Sequence, residues 1–151
     1  MTESTDSDPT RIAFVCVQNA GRSQMAYAFA QHELETRGVD DRFEVVTGGT
    51  RPAAHVHPEV VETMADDGID LGDRTPREVT FGEIQGSDYV ITMGCSADDV
   101  CPAGWAGENR DWDLPDPDGK PADEVAEIRD EIRHRVAELF DELQTDGLSC
   151  C

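Results

Sequence analysis

Chemistry on an anion is concentrated in one short stretch, Cys16-Val17-Gln18-Asn19-Ala20-Gly21-Arg22-Ser23. Five residues separate the cysteine from the arginine, enough to wrap a loop whose backbone N–H groups point into one concave nest, the shape that suits a tetrahedral oxyanion. A helix opening at Arg22 would add its unpaired N–H groups and the positive end of its dipole. The guanidinium supplies a permanently charged, two-pronged clamp for two oxygens. Gly21 permits close backbone approach, and Asn19 tolerates the left-handed conformation that such a wrap needs. Cys16 would then sit on the floor of a positive pocket that favours its thiolate, the nucleophilic form. Ser23 is placed to donate a hydrogen bond to that sulfur. A cysteine buried at a strand end for packing alone is the competing explanation.

The surrounding pattern decides between them, because an anion loop needs a strand behind it and a helix in front. Ile12–Val17 is an apolar, β-branched run that suits a strand buried on both faces. Arg22–Arg37 reads as a helix with Met25, Ala26, Phe29, Ala30 and Leu34 on one face, ended by Gly38. Phe43–Thr47 is a second strand closed by Gly48 and Gly49, and a helix follows from Pro58 to about Asp67. Ile69–Gly86 carries no regular pattern. Tyr89–Met93 is a third buried strand, and Gly94–Gly119 is a loop interrupted by an extended Arg110–Leu114. A last helix, Ala122–Leu143, shows a stripe of Val125, Ile128, Ile132, Val136, Leu139, Phe140 and Leu143. Strands alternating with helices imply βαβ units, hence an α/β, doubly wound parallel sheet in one domain over residues 11–145. Met1–Thr10 reads as a disordered acidic N-terminus, and 146–151 as a flexible tail carrying Cys150 and Cys151.

Charge narrows the classes of function. With 12 Lys plus Arg against 33 Asp plus Glu, the 151-residue chain has a formal charge of −21, which phosphate backbones would repel, so nucleic acid is not an expected partner. The acids are spread along the whole chain, and Lys120 is its one lysine. Such a self-repelling shell stays compact when counter-ions screen it, as in a halophilic, salt-rich cytoplasm; an acidic interaction surface is the alternative. No apolar run approaches the roughly 20 residues of a spanning helix, and the acidic start is unlike a secretory signal, so no membrane and a cytoplasmic location are expected.

Taken together, Cys16-Val-Gln-Asn-Ala-Gly-Arg-Ser-Gln-Met-Ala26 resembles the signature of cysteine-dependent arsenate reductases and low-molecular-weight protein tyrosine phosphatases. The likeness extends through Thr47–Pro52, His57–Val61, Gly68–Asp70, Val90–Gly94 and Asp111–Pro117. It implies a four-stranded parallel sheet of order 2-1-3-4 flanked by helices. It also implies Cys16 as nucleophile and Arg22 as the oxyanion and transition-state clamp. Val17, Gln18, Asn19, Ala20, Gly21 and Ser23 would support the loop and the anion, with Asp116, before Pro117, protonating the leaving oxygen. Asp116 also suits a turn, since Pro115–Gly119 is turn chemistry.

Reductase and phosphatase share this first step and differ in the second. A phosphatase hydrolyses the cysteinyl-phosphate with water; a reductase needs further thiols. Cys95 and Cys101 follow the third strand, and thioredoxin-coupled arsenate reductases place a relay pair there. By that resemblance Cys95 attacks the Cys16 adduct and Cys101 then pairs with Cys95. Gly94 before Cys95 and the Cys-x5-Cys spacing depart from many relay enzymes, and some similar proteins use a small thiol instead. Gly21 stands where tyrosine phosphatases commonly carry a second cysteine, and Asp118-Gly119 where they usually place aromatics, so the arsenate reductase is favoured. Arsenate or phosphate and a thioredoxin-like or small-thiol reductant are the implied partners. No cofactor or metal is implied: some relatives bind potassium with a glutamate where Tyr27 stands, and His55 and His57 lack a third ligand nearby. Trp105 and Trp112 suit core packing better than the rim of an aromatic substrate site.

Overall fold

The computed structural model describes residues 9–94, 105 and 107–149. Its centre is β1 (Thr10–Cys16). Successive side chains on a strand point to opposite faces. Ile12, Phe14 and Cys16 therefore enter the larger core, and Ala13 and Val15 enter a smaller one with Ile84 and Val90. Both faces are covered, which is why β1 reads as an unbroken apolar run. β2 (Phe43–Gly49) and β3 (Tyr89–Met93) flank it, and β4 (Glu108–Asp111) closes one edge. All pairings are parallel in the order β2-β1-β3-β4. The register sets Cys16 beside Gly49 and Met93, so the three central strands end together at one edge of the sheet. An opening at that carboxyl edge, where strand order switches, is where open α/β sheets bind ligands.

α1 (Arg22–Arg37) buries Met25, Ala26, Phe29, Ala30 and Leu34, the face that its spacing predicts. It packs with α2 (Pro58–Asp66) and the long α4 (Ala122–Ser149) over the larger core. Ile128, Ile132, Val136, Leu139 and Phe140 of α4 are buried there, Leu143 packs at its margin, and Val125 on the same helix is also buried. Trp112 tilts against Phe14, ring centroids 6.0 Å apart, and Trp105 packs on the smaller core while its indole N–H donates to the Ser87 carbonyl at 2.8 Å. Both tryptophans are thus structural.

Four boundaries differ from expectation. β1 begins at Thr10, because its N–H donates to the Arg42 carbonyl and it pairs with Phe43; Thr10, expected in the disordered N-terminus, is therefore part of the sheet, and residues 1–8 lie outside the described residues. The segment taken as irregular contains α3 (Phe81–Gln85), started by a capping box: Thr80 accepts from the Glu83 N–H while Glu83 accepts from the Thr80 N–H. The last strand lies at Glu108–Asp111 rather than Arg110–Leu114, since Thr92 pairs with Asp111 at the end of β3. Arg110, forked onto Glu142 and bonded to Glu108, ties that edge strand to α4. Finally, the helical backbone runs to Ser149, past the tail boundary expected at 146. Once a helix is nucleated, each added residue closes one more hydrogen bond at little cost.

Candidate active site

The loop from Cys16 to Ser23 is held from outside. The carbonyls of Cys16, Val17, Gln18 and Ala20 accept from the N–H groups of Thr50, Arg51, Ala53 and His57, at 3.2, 2.7, 2.9 and 2.9 Å. In a trans peptide the next N–H points away from the carbonyl, and the described chain has no cis bond. The N–H groups of Val17, Gln18, Asn19 and Gly21 are therefore turned to the concave side. That of Asn19 reaches Cys16 Sγ at 3.2 Å.

Asn19 is the internal brace. Its backbone is left-handed, φ +53°, as the wrap requires, and its side chain is fully buried. Nδ2 donates to Ser23 Oγ at 2.7 Å and to Thr47 Oγ1 at 3.0 Å. Oδ1 accepts from Gln24 Nε2 and from the Arg77 N–H, both at 3.0 Å. Ser23 Oγ in turn lies 2.8 Å from Cys16 Sγ. Cys16 is 3% exposed, so its sulfur meets solvent only through the cavity above it.

That cavity has a volume of about 280 Å³ and is lined by Cys16, Val17, Gln18, Ala20, Gly21, Arg22, His57, Gly94, Asp116 and Asp118. Arg22 Nη1 donates to the Leu114 carbonyl at 2.8 Å, and Nη2 lies 3.9 Å from Asp116 Oδ2. Asp116 is closed into a turn by the Asp118 N–H on its Oδ1, 3.0 Å. The Gly119 N–H donates to Glu59 Oε2 at 2.9 Å, and chiefly that bond holds the Glu59 carboxyl below the ordinary glutamate range. A Cβ on Gly21 would stand 3.0 Å from the Pro117 ring, so the glycine also makes room for the Asp116 turn. Sulfur, guanidinium, inward amides and a carboxylate around one small opening can bind a tetrahedral oxyanion, attack its centre and protonate a leaving oxygen.

Of the residues singled out from sequence, Cys16, Val17, Gln18, Ala20, Gly21, Arg22 and Asp116 line one cavity, and Asn19 and Ser23 brace it from behind. Cys95, Cys101, Cys150 and Cys151 lie outside the described residues. Three neighbours went unrecognised. His57, considered from sequence as a metal ligand without a third partner, faces the cavity with Nδ1 4.0 Å from Asp118 Oδ1. Gly94, at φ +84°, lies on the guanidinium; a Cβ there would stand 2.6 Å from Arg22 Nη2. Thr47 receives Asn19 and passes its own proton to the Phe14 carbonyl at 2.8 Å. Glycine directly after a buried strand is the available signal for Gly94; Thr47 and His57 open two of the stretches that carry the family likeness, but no spacing assigns either a role. Among the described residues, no group of three or more His, Cys, Asp or Glu side chains could hold a metal ion.

Comparison with known proteins agrees with this geometry. A Halobacterium salinarum protein bearing the provisional name of arsenate reductase is 53% identical over 143 residues, 95% of this chain and 99% of that protein. Its source is a halophile, in line with the acidic surface. The solved thioredoxin-dependent arsenate reductase of Corynebacterium glutamicum matches with a TM-score of 0.75 at 37% identity, over 93% of this chain. This chain spans 64% of the length of that relative. A Vibrio cholerae low molecular weight phosphotyrosine phosphatase shares the fold, TM-score 0.78 at 18% identity, over 91% of this chain and 99% of its own. The family model described as low molecular weight phosphotyrosine protein phosphatase matches residues 11–148, and the chain belongs to that family.

Proposed function

We propose that the chain is an arsenate reductase whose first nucleophile is Cys16. Arsenate sits on the inward amides with two oxygens on Arg22. The Cys16 thiolate forms a bond to arsenic while an arsenic–oxygen bond breaks, and Asp116 gives that oxygen a proton so that it leaves as water. Cys95, as thiolate, then attacks Cys16 Sγ. The sulfur–arsenic bond breaks with its electron pair on arsenic, As(V) becomes As(III), and arsenite leaves a Cys16–Cys95 disulfide. Cys101 attacks Cys95, freeing Cys16 and leaving a Cys95–Cys101 disulfide for a thioredoxin-like or small-thiol reductant.

One observation carries this choice. Cys16 and Gly94 line the same cavity, and Cys95 is the residue after Gly94. The names of the relatives support it, as does a lining without Phe, Tyr or Trp side chains among the described residues, which suits a small inorganic anion better than a phosphotyrosine ring. The thiol reductant of this proposal suits a reducing cytoplasm; no helix among the described residues is long and apolar enough to cross a membrane.

The same Cys16, Arg22 and Asp116 suffice for a protein tyrosine phosphatase acting through a cysteinyl-phosphate, the second reading, which the family match favours. Arsenite release from arsenate with thioredoxin, and cleavage of a chromogenic phosphate ester, separate the two. Loss of arsenite release in Cys16→Ser, Cys95→Ser and Cys101→Ser supports the reductase. Ester cleavage lost only in Cys16→Ser, with no arsenite from any protein, selects the phosphatase.

A further inference from the structure

Behind the cavity, the hydrogen bonds on Asn19 continue to a cation that touches neither the cavity nor the sulfur. Arg74 Nε donates to Gln24 Oε1 at 2.8 Å. Its guanidinium stacks on the Tyr27 ring, 4.4 Å from the centroid, so α1 grips it at two positions one turn apart. Gln24 is fully buried and donates Nε2 to Asn19 Oδ1. Asn19 donates to Ser23, and Ser23 Oγ lies against Cys16 Sγ.

The direction of this run is set at two points, by Arg74 on Gln24 and by the Arg77 N–H on Asn19. A guanidinium can only donate. Gln24 must therefore turn its oxygen to Arg74 and its NH₂ to Asn19. Asn19, receiving Gln24 and the Arg77 N–H on its oxygen, turns its own NH₂ to Ser23 and Thr47. Ser23 Oγ, occupied as an acceptor, keeps its hydrogen for the sulfur. Every link donates toward Cys16, and hydrogen bonds aligned in this way polarise one another.

We propose that Arg74 is a positioning residue for the nucleophile: acting through Gln24, Asn19 and Ser23, it strengthens the run of hydrogen bonds that favours Cys16 in its thiolate form. The inference rests on Cys16 being the nucleophile of the proposed reaction. It assigns to a residue 58 positions along the chain (74 − 16 = 58) a part in the reactivity of the sulfur without contact to the substrate. Arg77 holds Asn19 from another side, so loss of Arg74 weakens the run rather than dissolving the loop.

The test is alkylation of the full chain by iodoacetamide at pH 6 and pH 9, with Cys16 followed by peptide mass so that the other four cysteines do not contribute. Arg22, His57, Asp116 and Asp118, the charged and titratable groups facing Cys16 across the cavity, are the same in every variant. In Arg74→Met, which keeps an apolar stem over Tyr27, the ratio of the pH 6 rate to the pH 9 rate falls about three- to tenfold, the scale of one charge-assisted hydrogen bond passed through a polarised run. Arg74→Lys keeps a donor-only cation and restores the ratio to within about twofold of wild type. Protection of Cys16 by inorganic phosphate reports that the loop is formed. If Arg74→Met does not fold, Gln24→Met breaks the same run one link closer, and its ratio falls at least as far. A ratio unchanged from wild type in the folded variant overturns the inference, even if both absolute rates drop, because a purely structural defect acts alike at both pH values. Wild-type Cys16 reacting at pH 6 no faster than glutathione would instead sink the nucleophile assignment itself.

Discussion

The two sides of the cavity are built to different standards. On the nucleophile side, Cys16, Asn19 and Ser23 are buried, and Asn19 alone makes four side-chain hydrogen bonds (two donated, two accepted) to groups from three parts of the chain. On the acid side, the Asp116 and Asp118 side chains are 58% and 57% exposed. The turn that carries them is held by the Asp118 N–H on Asp116, the Lys120 N–H on the Pro117 carbonyl, the Gly119 N–H on Glu59 and the Arg22 donation to Leu114. Buried polar groups have no water to fall back on, so each partner removed there costs heavily, whereas water replaces rim contacts cheaply. The molecule fixes its sulfur in advance and holds the carboxylate proposed as proton donor where solvent can reach it.

If that contrast is real, damage to the brace harms fold and activity together. Asn19→Ala strands the Gln24 NH₂, the Arg77 N–H and the Ser23 hydroxyl and forces a left-handed alanine. The expected loss is about 3–5 kcal/mol of stability, with more than about a hundredfold in kcat from the displaced loop. Urea unfolding and steady-state kinetics read both. Equal stability in the variant would mean the brace is not what shapes the loop.

Damage to the acid should separate the two quantities. Asp116→Asn keeps the Oδ1 that accepts from Asp118 but has no proton to give. Stability should stay within about 0.5 kcal/mol while kcat falls about a hundredfold. A matching fall in stability would erase the distinction between the two sides.

How far this could be read from the residues follows the same line. The strand expected over Ile12–Val17, found at Thr10–Cys16, the five-residue wrap and the α1 face of Met25, Phe29 and Leu34 are local patterns that the structure contains. The supports of the loop are not local. Thr47, Arg74 and Arg77 reach Asn19 or Gln24 from 28 to 58 residues away, and no spacing encodes that. α3 has its capping box at Thr80 and Glu83, yet five residues are too few to show helical periodicity. His57 reads as polarity before Pro58 until α2 is placed against the loop, when its N–H bonds Ala20 and its ring joins the cavity.

Gly94→Ala probes where the two sides meet. Its Cβ would press on the guanidinium in a left-handed backbone, and the flexible end of Arg22 can yield. Oxyanion binding should weaken about tenfold, mainly as a rise in KM, with about 1 kcal/mol lost in stability. Inorganic phosphate as a competitive inhibitor measures the same displacement, and an unchanged inhibition constant would show that Arg22 does not rest on this glycine.

The mildest test concerns the clamp beneath the acid turn. Glu59 accepts from the Gly119 N–H, and this bond lowers its carboxyl from the ordinary value of 4.5. A carboxyl depressed on folding contributes above its unfolded value, and the contribution is lost as pH falls through the folded one. Glu59→Gln retains an acceptor without the charge, so kcat at neutral pH should fall about two- to fivefold, the range of a screened, partly exposed interaction. As pH falls through the depressed folded value, which lies below 4.5, the wild-type carboxyl becomes protonated and the two proteins should converge. The ratio of their rates against pH is therefore the measurement: a gap that opens at neutral pH and closes in acid places the charge of Glu59 under the turn. A gap that persists unchanged into acid would mean that the side chain acts by shape, and that the acid side is packed more like the brace than its exposure indicates.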